Sequence, residues 1–246
     1  MKSCVIIPAR FASSRFPGKP LVPILGKQLV LWVAELSAEA VGNENVYVAT
    51  EDKRIAAAAE AGGFNSLMTS PDALTGTDRL AEACEMVDYD IYVNVQGDEP
   101  LVCPDDIVRC IRRKESSPDL IVNGFCWMQP DEDPCSRNIP KAIANERGMM
   151  VYMSRNPLPA CKDDARAPSR YMKQVCIYAF NRAELLDFRD YGRKSYLESC
   201  EDIEILRFLE LGREVVLVET VPGSIAVDVP EDVEKVENAL KNRAKV

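Results

Sequence analysis

The sequence predicts an α/β fold with a mostly parallel central sheet flanked by helices, on three observations. Short, β-branched apolar runs recur at 3–9, 46–50 and 90–96, each the length of a buried strand. A segment with apolar residues at helical spacing follows each of them. With 246 residues, 47% of them apolar, the chain can also bury a sizeable core. Strands that alternate with helices build parallel sheets covered on both faces, and such sheets bind ligands beyond the carboxyl ends of their strands.

The elements follow in order. Residues 3–9 (SCVIIPA) read as a buried strand, and 10–20 (RFASSRFPGKP) as a polar loop with Gly and Pro. A helix is expected after Gly26, a second strand at 46–50 and an Ala-rich helix over 55–63 that ends in Gly. Thr77-Asp78 opens a further helix. The third strand, 90–96, ends in Gly97-Asp98-Glu99-Pro100, and Asp105 starts the helix IVRCIRR. Strand patterns then follow each other at 120–128, 150–159 and 173–180, the last two separated by the polar stretch 161–170. One helix is expected over 198–211, closed by Gly212, then a strand over 214–221 and a terminal helix that starts around Pro230. This reads as a single domain, 1–246, with an insertion at about 124–190.

Composition narrows the chemistry. The net charge of −9 argues against nucleic acid or an anionic membrane as a partner. The amino-terminal apolar run is too short for a signal or spanning helix, and nine scattered Cys without a CxxC pair read as reduced cytoplasmic thiols. The chain has no His, so Ser-His and Cys-His nucleophiles and His-based zinc sites are excluded. Carboxylate, Lys and Arg chemistry remains.

Two segments could carry that chemistry. The 10–20 loop places Arg10, Arg15 and Lys19 beside Gly18, just after a strand. Arg forks and a Lys point charge suit polyphosphate oxygens, although a solvated basic loop has the same composition. Asp98 follows the third strand and Asp228 follows another apolar run. Two such carboxylates could share Mg2+ with a triphosphate, or could be a helix cap and a turn residue. Glu99 reads as a structural neighbour of Asp98.

The segments 5–21 (VIIPARFASSRFPGKPL), 46–52, 69–83, 91–102 (IYVNVQGDEPLV), 153–159, 171–180, 201–212 and 224–236 (SIAVDVPEDVEKV) together resemble the CMP-Kdo synthetase (3-deoxy-manno-octulosonate cytidylyltransferase) family almost end to end. The resemblance implies a Rossmann-like nucleotidyltransferase fold, a homodimer paired through the inserted region, and Mg2+-dependent transfer of CMP from CTP to a 2-keto sugar acid. By the same resemblance, Arg10, Arg15 and Lys19 bind the triphosphate, and they act with Asp98 as the catalytic set. Thr75, Gly76, Thr77, Arg79 and Gln96 contact the nucleotide. Asp98 and Asp228 hold the metal, and Arg155, Gln174, Tyr178 and Glu204 face the sugar acid. No covalent intermediate is needed, so the missing His is no obstacle.

The chain departs from that family's pattern in three places. Ala73 and Thr75 stand where it carries His and Ser, Gln174 and Cys176 where it carries His and Gly, and Ile205 where it carries Gln. The last two departures imply an altered sugar pocket. They leave open a modified acceptor such as 8-amino-Kdo, a nonulosonic acid or a phosphonate. A non-catalytic nucleotide-binding protein is the remaining alternative, and Lys19, Asp98 and Asp228 argue against it.

Overall fold

A computed structural model describes residues 1–13, 16–166 and 168–243. Its sheet has the order β11–β7–β10–β6–β1–β4–β5. The first half of the chain supplies β1 (Ser3–Pro8), the hairpin β2 (Pro23–Ile24) and β3 (Lys27–Gln28), α1 (Leu29–Val41), β4 (Val46–Thr50), α2 (Lys53–Ala61), β5 (Asn65–Met68), α3 (Gly76–Ala83), β6 (Ile91–Val95) and α4 (Pro104–Ser116). The second half supplies β7 (Ile121–Trp127), β8 (Lys141–Ala144), β9 (Met150–Ser154), β10 (Met172–Phe180), α5 (Arg182–Asp190), α6 (Tyr196–Glu201), α7 (Ile205–Glu210), β11 (Val215–Glu219) and α8 (Asp232–Arg243).

Strands β6, β1, β4 and β5 run parallel, as do β7 and β11, while β10 runs antiparallel between β6 and β7. The central strands read as unbroken apolar runs because helices cover both faces: every residue of β6 is buried, and so are five of the six in β1. One core layer packs β1, β4 and β6 against α1, α2 and α4. The other packs the opposite face against α3, α5 and α7. Among the described residues no helix is long and apolar enough to cross a membrane.

Three elements differ from the expected order. β5 (NSLM) lies at the sheet edge with both end residues exposed, so it lacks the apolar signature of a buried strand. β8 is four residues long, pairs with β9 and β10, and lies off the main path. The helix expected over 198–211 is two helices, α6 and α7. Asp202 separates them in the left-handed conformation (φ 51°), which ends α6 and turns the chain. Within the segment 124–190, β8 and β9 form a hairpin beside the sheet, whereas β10 runs inside it.

Candidate active site

The carboxyl ends of β1 and β6 open into a cleft whose floor is two loops. After β1 the chain turns at Gly18, which donates its N–H to the Phe11 carbonyl at 2.9 Å in a left-handed conformation (φ 72°) that glycine adopts without strain. The turn delivers Lys19. After β6 comes Gly97, where a Cβ would meet the Pro8 carbonyl at 3.0 Å, so only glycine lets the two strand ends lie this close. Asp98 follows. Its carbonyl accepts the Val227 N–H at 2.9 Å, and Glu99 accepts the Ser224 hydroxyl. These two bonds bring the 224–228 segment, and with it Asp228, to the same place.

Lys19 Nζ donates to Asp98 Oδ2 at 2.6 Å and lies 3.6 Å from Asp228 Oδ1. Two carboxylates separated by more than half of the chain thus face one ammonium group on the cleft wall. All three side chains are partly exposed, at 14, 26 and 33%. Glu99 beside them is buried, and burial, reinforced by the charge of Asp98, pushes its carboxyl up to about 7. It acts as a structural acceptor for Ser224, as expected.

The opposite wall is the amino end of α3. Thr75 caps the helix: its hydroxyl accepts from the Asp78 N–H at 3.1 Å and donates to Asp78 Oδ2 at 2.7 Å. Thr75 and Gly76 line the cleft, together with Arg10, Arg79, Gln96 and Glu204. Arg79 is nearly buried. It pairs with Glu51 at 2.8 Å and donates to the Thr69 hydroxyl, and Glu51 in turn accepts the Phe11 N–H at 2.8 Å. Burial lowers the guanidinium pKa, partly offset by Glu51. Glu51 therefore links the Lys19 loop to α3. Thr77 is buried with its N–H and hydroxyl directed to Glu204 at 2.8 and 2.5 Å, and Glu204 also accepts the Gly76 N–H at 3.1 Å. Burial raises the carboxyl pKa of Glu204, and the donors of Thr77 and Gly76 oppose the rise.

The fold thus brings together Arg10, Lys19, Thr75, Gly76, Arg79, Gln96, Asp98, Glu204 and Asp228 on one cleft, with Thr77 directly behind it. Arg15 lies outside the described residues. Three of the residues expected to face a sugar acid are not among the cleft-lining side chains. Arg155 directs its guanidinium to the carbonyls of Arg137, Glu201 and Asp202, where it braces the 201–202 turn. Gln174 donates to Tyr178 Oη at 3.0 Å and to Asn123 Oδ1 at 3.3 Å. A register shift between Val175 and Tyr178 folds β10 so that these two side chains meet, and Asn123 Nδ2 holds the shift through the carbonyls of Val175 and Ile177 at 3.0 and 3.1 Å. Ile205 is 1% exposed within the core and is absent from the cleft wall, whereas Ala73 and Thr75 are on it. The departures from the family pattern therefore reach the cleft at the α3 loop and leave it untouched at Ile205.

Sequence reasoning missed Lys194, Glu198 and Asp202, which also line the cleft. Lys194 donates to Asp202 Oδ1 at 2.9 Å. No motif marks them.

The chain is similar to known cytidylyltransferases. The cytidylyltransferase family profile matches residues 4–216. The 3-deoxy-manno-octulosonate cytidylyltransferase of Geotalea uraniireducens is 42% identical, over 98% of this chain and all of its own. The 8-amino-3,8-dideoxy-manno-octulosonate cytidylyltransferase of Shewanella baltica is 38% identical, over 98% of this chain and 99% of its own. A solved CMP:2-keto-3-deoxy-manno-octonic acid synthetase in complex with CTP superposes with a TM-score of 0.90 at 34% identity, covering 99% of this chain and all of the other. The chain belongs to the CMP-Kdo synthetase (3-deoxy-manno-octulosonate cytidylyltransferase) family.

Proposed function

We propose that this protein is a CTP-dependent cytidylyltransferase that transfers CMP to 3-deoxy-manno-octulosonate or a close analogue and releases pyrophosphate. The observation that carries the proposal is the meeting of Lys19 with Asp98 and Asp228 on the wall of a cleft that also contains Arg10, Thr75, Gly76 and Gln96. An acceptor hydroxyl attacks the α-phosphorus of CTP and a new P–O bond forms. The bond from that phosphorus to the β-bridging oxygen breaks, and pyrophosphate leaves with the electron pair. The hydroxyl proton passes to water. Arg10 and Lys19 bind the triphosphate and offset the charge on the leaving group, with Arg15 assigned beside them by resemblance. Thr75, Gly76, Thr77, Arg79 and Gln96 shape the nucleotide side, where the donors of Gly76 and Thr77 already meet Glu204. Arg155, Gln174, Tyr178 and Glu204 are assigned to the acceptor side by resemblance, and of these Glu204 lines the cleft.

The residues present fit Mg2+. Asp98 and Asp228 offer hard oxygen donors close enough to share one ammonium. An open carboxylate pair that leaves room for phosphate and water suits Mg2+. When bound, the ion would neutralise phosphate charge. We also propose a cytoplasmic homodimer that pairs through the 124–190 segment, where β9 is an open strand edge with Val151 56% exposed.

Pyrophosphate release, measured with each nucleoside triphosphate against 3-deoxy-manno-octulosonate, its 8-amino analogue and a nonulosonic acid, tests the reading. CTP with one of the first two acids is the expected pair, and two relatives of different acceptor name give both arms a basis. Absence of release with every acid, or activity unchanged in Asp98→Asn, would overturn it.

A further inference from the structure

We infer that Arg207 is a positioning residue that ties the two walls of the cleft together, and thereby sets the nucleotide affinity of the enzyme proposed above. Arg207 lies on α7, is 0% exposed and is not itself among the residues that line the cleft. Its guanidinium is a four-way fork. Nε and Nη2 donate to the two oxygens of Glu198 at 2.7 Å each. Nη1 and Nη2 donate to the two oxygens of Asp78 at 2.8 and 3.2 Å. Nη1 also reaches the Phe188 carbonyl at 3.1 Å, and the group stacks 3.6 Å over the Phe188 ring.

The two carboxylates belong to different walls. Asp78 is bonded to Thr75, the cap residue that lines the cleft at the start of α3. Glu198 belongs to α6, contributes to the lining, and accepts the Ser195 N–H at 2.9 Å beside cleft-facing Lys194. Glu204, just before α7, adds a second grip on α3 through Gly76 and Thr77. The position of the 73–76 loop relative to the 194–202 segment is therefore set by α7, through Arg207 and Asp78, which do not line the cleft, and through Glu198 and Glu204, which do.

Stability alone gives no reason for this arrangement. A buried cluster of one cation and two anions is commonly matched or bettered by well-packed apolar side chains of the same size. What an apolar cluster lacks is direction: a planar fork with fixed donors defines where two carboxylates sit, and a Lys point charge does not. Displacements on the order of 1 Å in a positioned site cost large factors in binding and rate.

The test uses Arg207→Lys and the charge-neutral triple variant R207M/D78N/E198Q, with steady-state kinetics for each substrate and thermal melting. Arg207→Lys is expected to raise KM for CTP about tenfold while kcat stays within about threefold. The triple variant removes the unpaired buried charges that R207M alone would leave. It is expected to melt above R207M yet keep the raised KM. A purely structural role would lower the melting temperature and leave KM of the folded enzyme unchanged, and that result in both variants overturns the inference. If the wild-type protein released no pyrophosphate, the functional reading would fail by itself. Calorimetric titration of CTP alone would then decide the clamp, with Kd expected about tenfold weaker in Arg207→Lys and an unchanged Kd overturning it.

Discussion

Lys19 and Lys114 are both ammonium groups held by carboxylates at opposite ends of one sheet, and they are built differently. Lys114 closes α4 behind the amino end of β7. It is 1% exposed, donates to both oxygens of Glu184 at 2.7 Å, and also bonds the carbonyls of Pro118 and Leu120 at 2.9 and 2.8 Å. Glu184 serves at the same time as the third-residue partner of the Asn181 cap on α5. Burial lowers the Lys114 pKa and raises that of Glu184, each opposed by the other. Lys19 faces two carboxylates on an accessible wall, and those carboxylates stand at the ends of loops. A closed pair surrounded by backbone carbonyls ties elements together. An open one, with one cation between two anions on loops, is arranged to receive a further charged group. Local sequence does not separate the two: each lysine follows other basic residues and stands near a Pro.

The largest expected effect falls on the closed pair. Lys114→Met leaves Glu184 buried without its cation and should lower stability by about 3–5 kcal/mol in urea titration. Lys114→Met combined with Glu184→Leu should recover most of that loss, because no buried charge remains. A single variant as stable as wild type would erase the distinction drawn here. Next comes the open pair. Lys19→Met should lower kcat/KM for CTP by at least about a hundredfold, or roughly 2.7 kcal/mol, on the scale of losing one charge-stabilising donor. Its folding stability should fall by less than about 1 kcal/mol, since a partly exposed ion pair contributes little to folding. Loss of stability without loss of rate would reverse the roles of the two lysines.

The smallest effect belongs to a surface pair near the same strand ends. Asp52 caps α2 by accepting the Arg54 N–H at 2.8 Å, and its side-chain bonds to the Arg54 guanidinium hold its carboxyl down to about 2. Asp52→Ala should cost about 1 kcal/mol, the usual value of a helix cap. Because the folded-state pKa lies below the unfolded value of about 4, the contribution is complete above pH 4 and is lost as pH falls through about 2. Stability of wild type minus variant, followed between pH 6 and 2, should shrink toward the acid end. A difference that grew on acidification would contradict the capped arrangement.

Much of this was legible in the sequence, for identifiable reasons. β1, β4 and β6 are buried on both faces, so they announce themselves as continuous apolar runs, and the parallel core follows from them. Arg10, Lys19, Gln96 and Asp98 sit immediately after those strands, where local order and spatial position coincide. Other elements depend on contacts that no local pattern encodes. β5 is half exposed at an edge, β8 is too short for a periodic signal, and the break at Asp202 is one backbone angle inside a helical pattern. The acceptor-side residues were harder still. Arg155 is drawn away from the cleft by three backbone carbonyls, and Ile205 follows the helical period of Leu206 and Phe208 into the core. Lys194 and Asp202 face the cleft on a segment held by α7 through Glu198 and by Arg155 through the 201–202 carbonyls.

The bonds from Val227 to Asp98 and from Ser224 to Glu99 have a consequence for biosynthesis. The ribosome delivers Arg10, Lys19 and Asp98 early, and the sheet around them can begin to condense while the remainder is still being made. Asp228 is made well after Asp98, and it stays away from the cleft until its own segment docks. In a nascent chain the ammonium can therefore meet Asp98 first, and the second carboxylate joins only when the 224–228 segment docks.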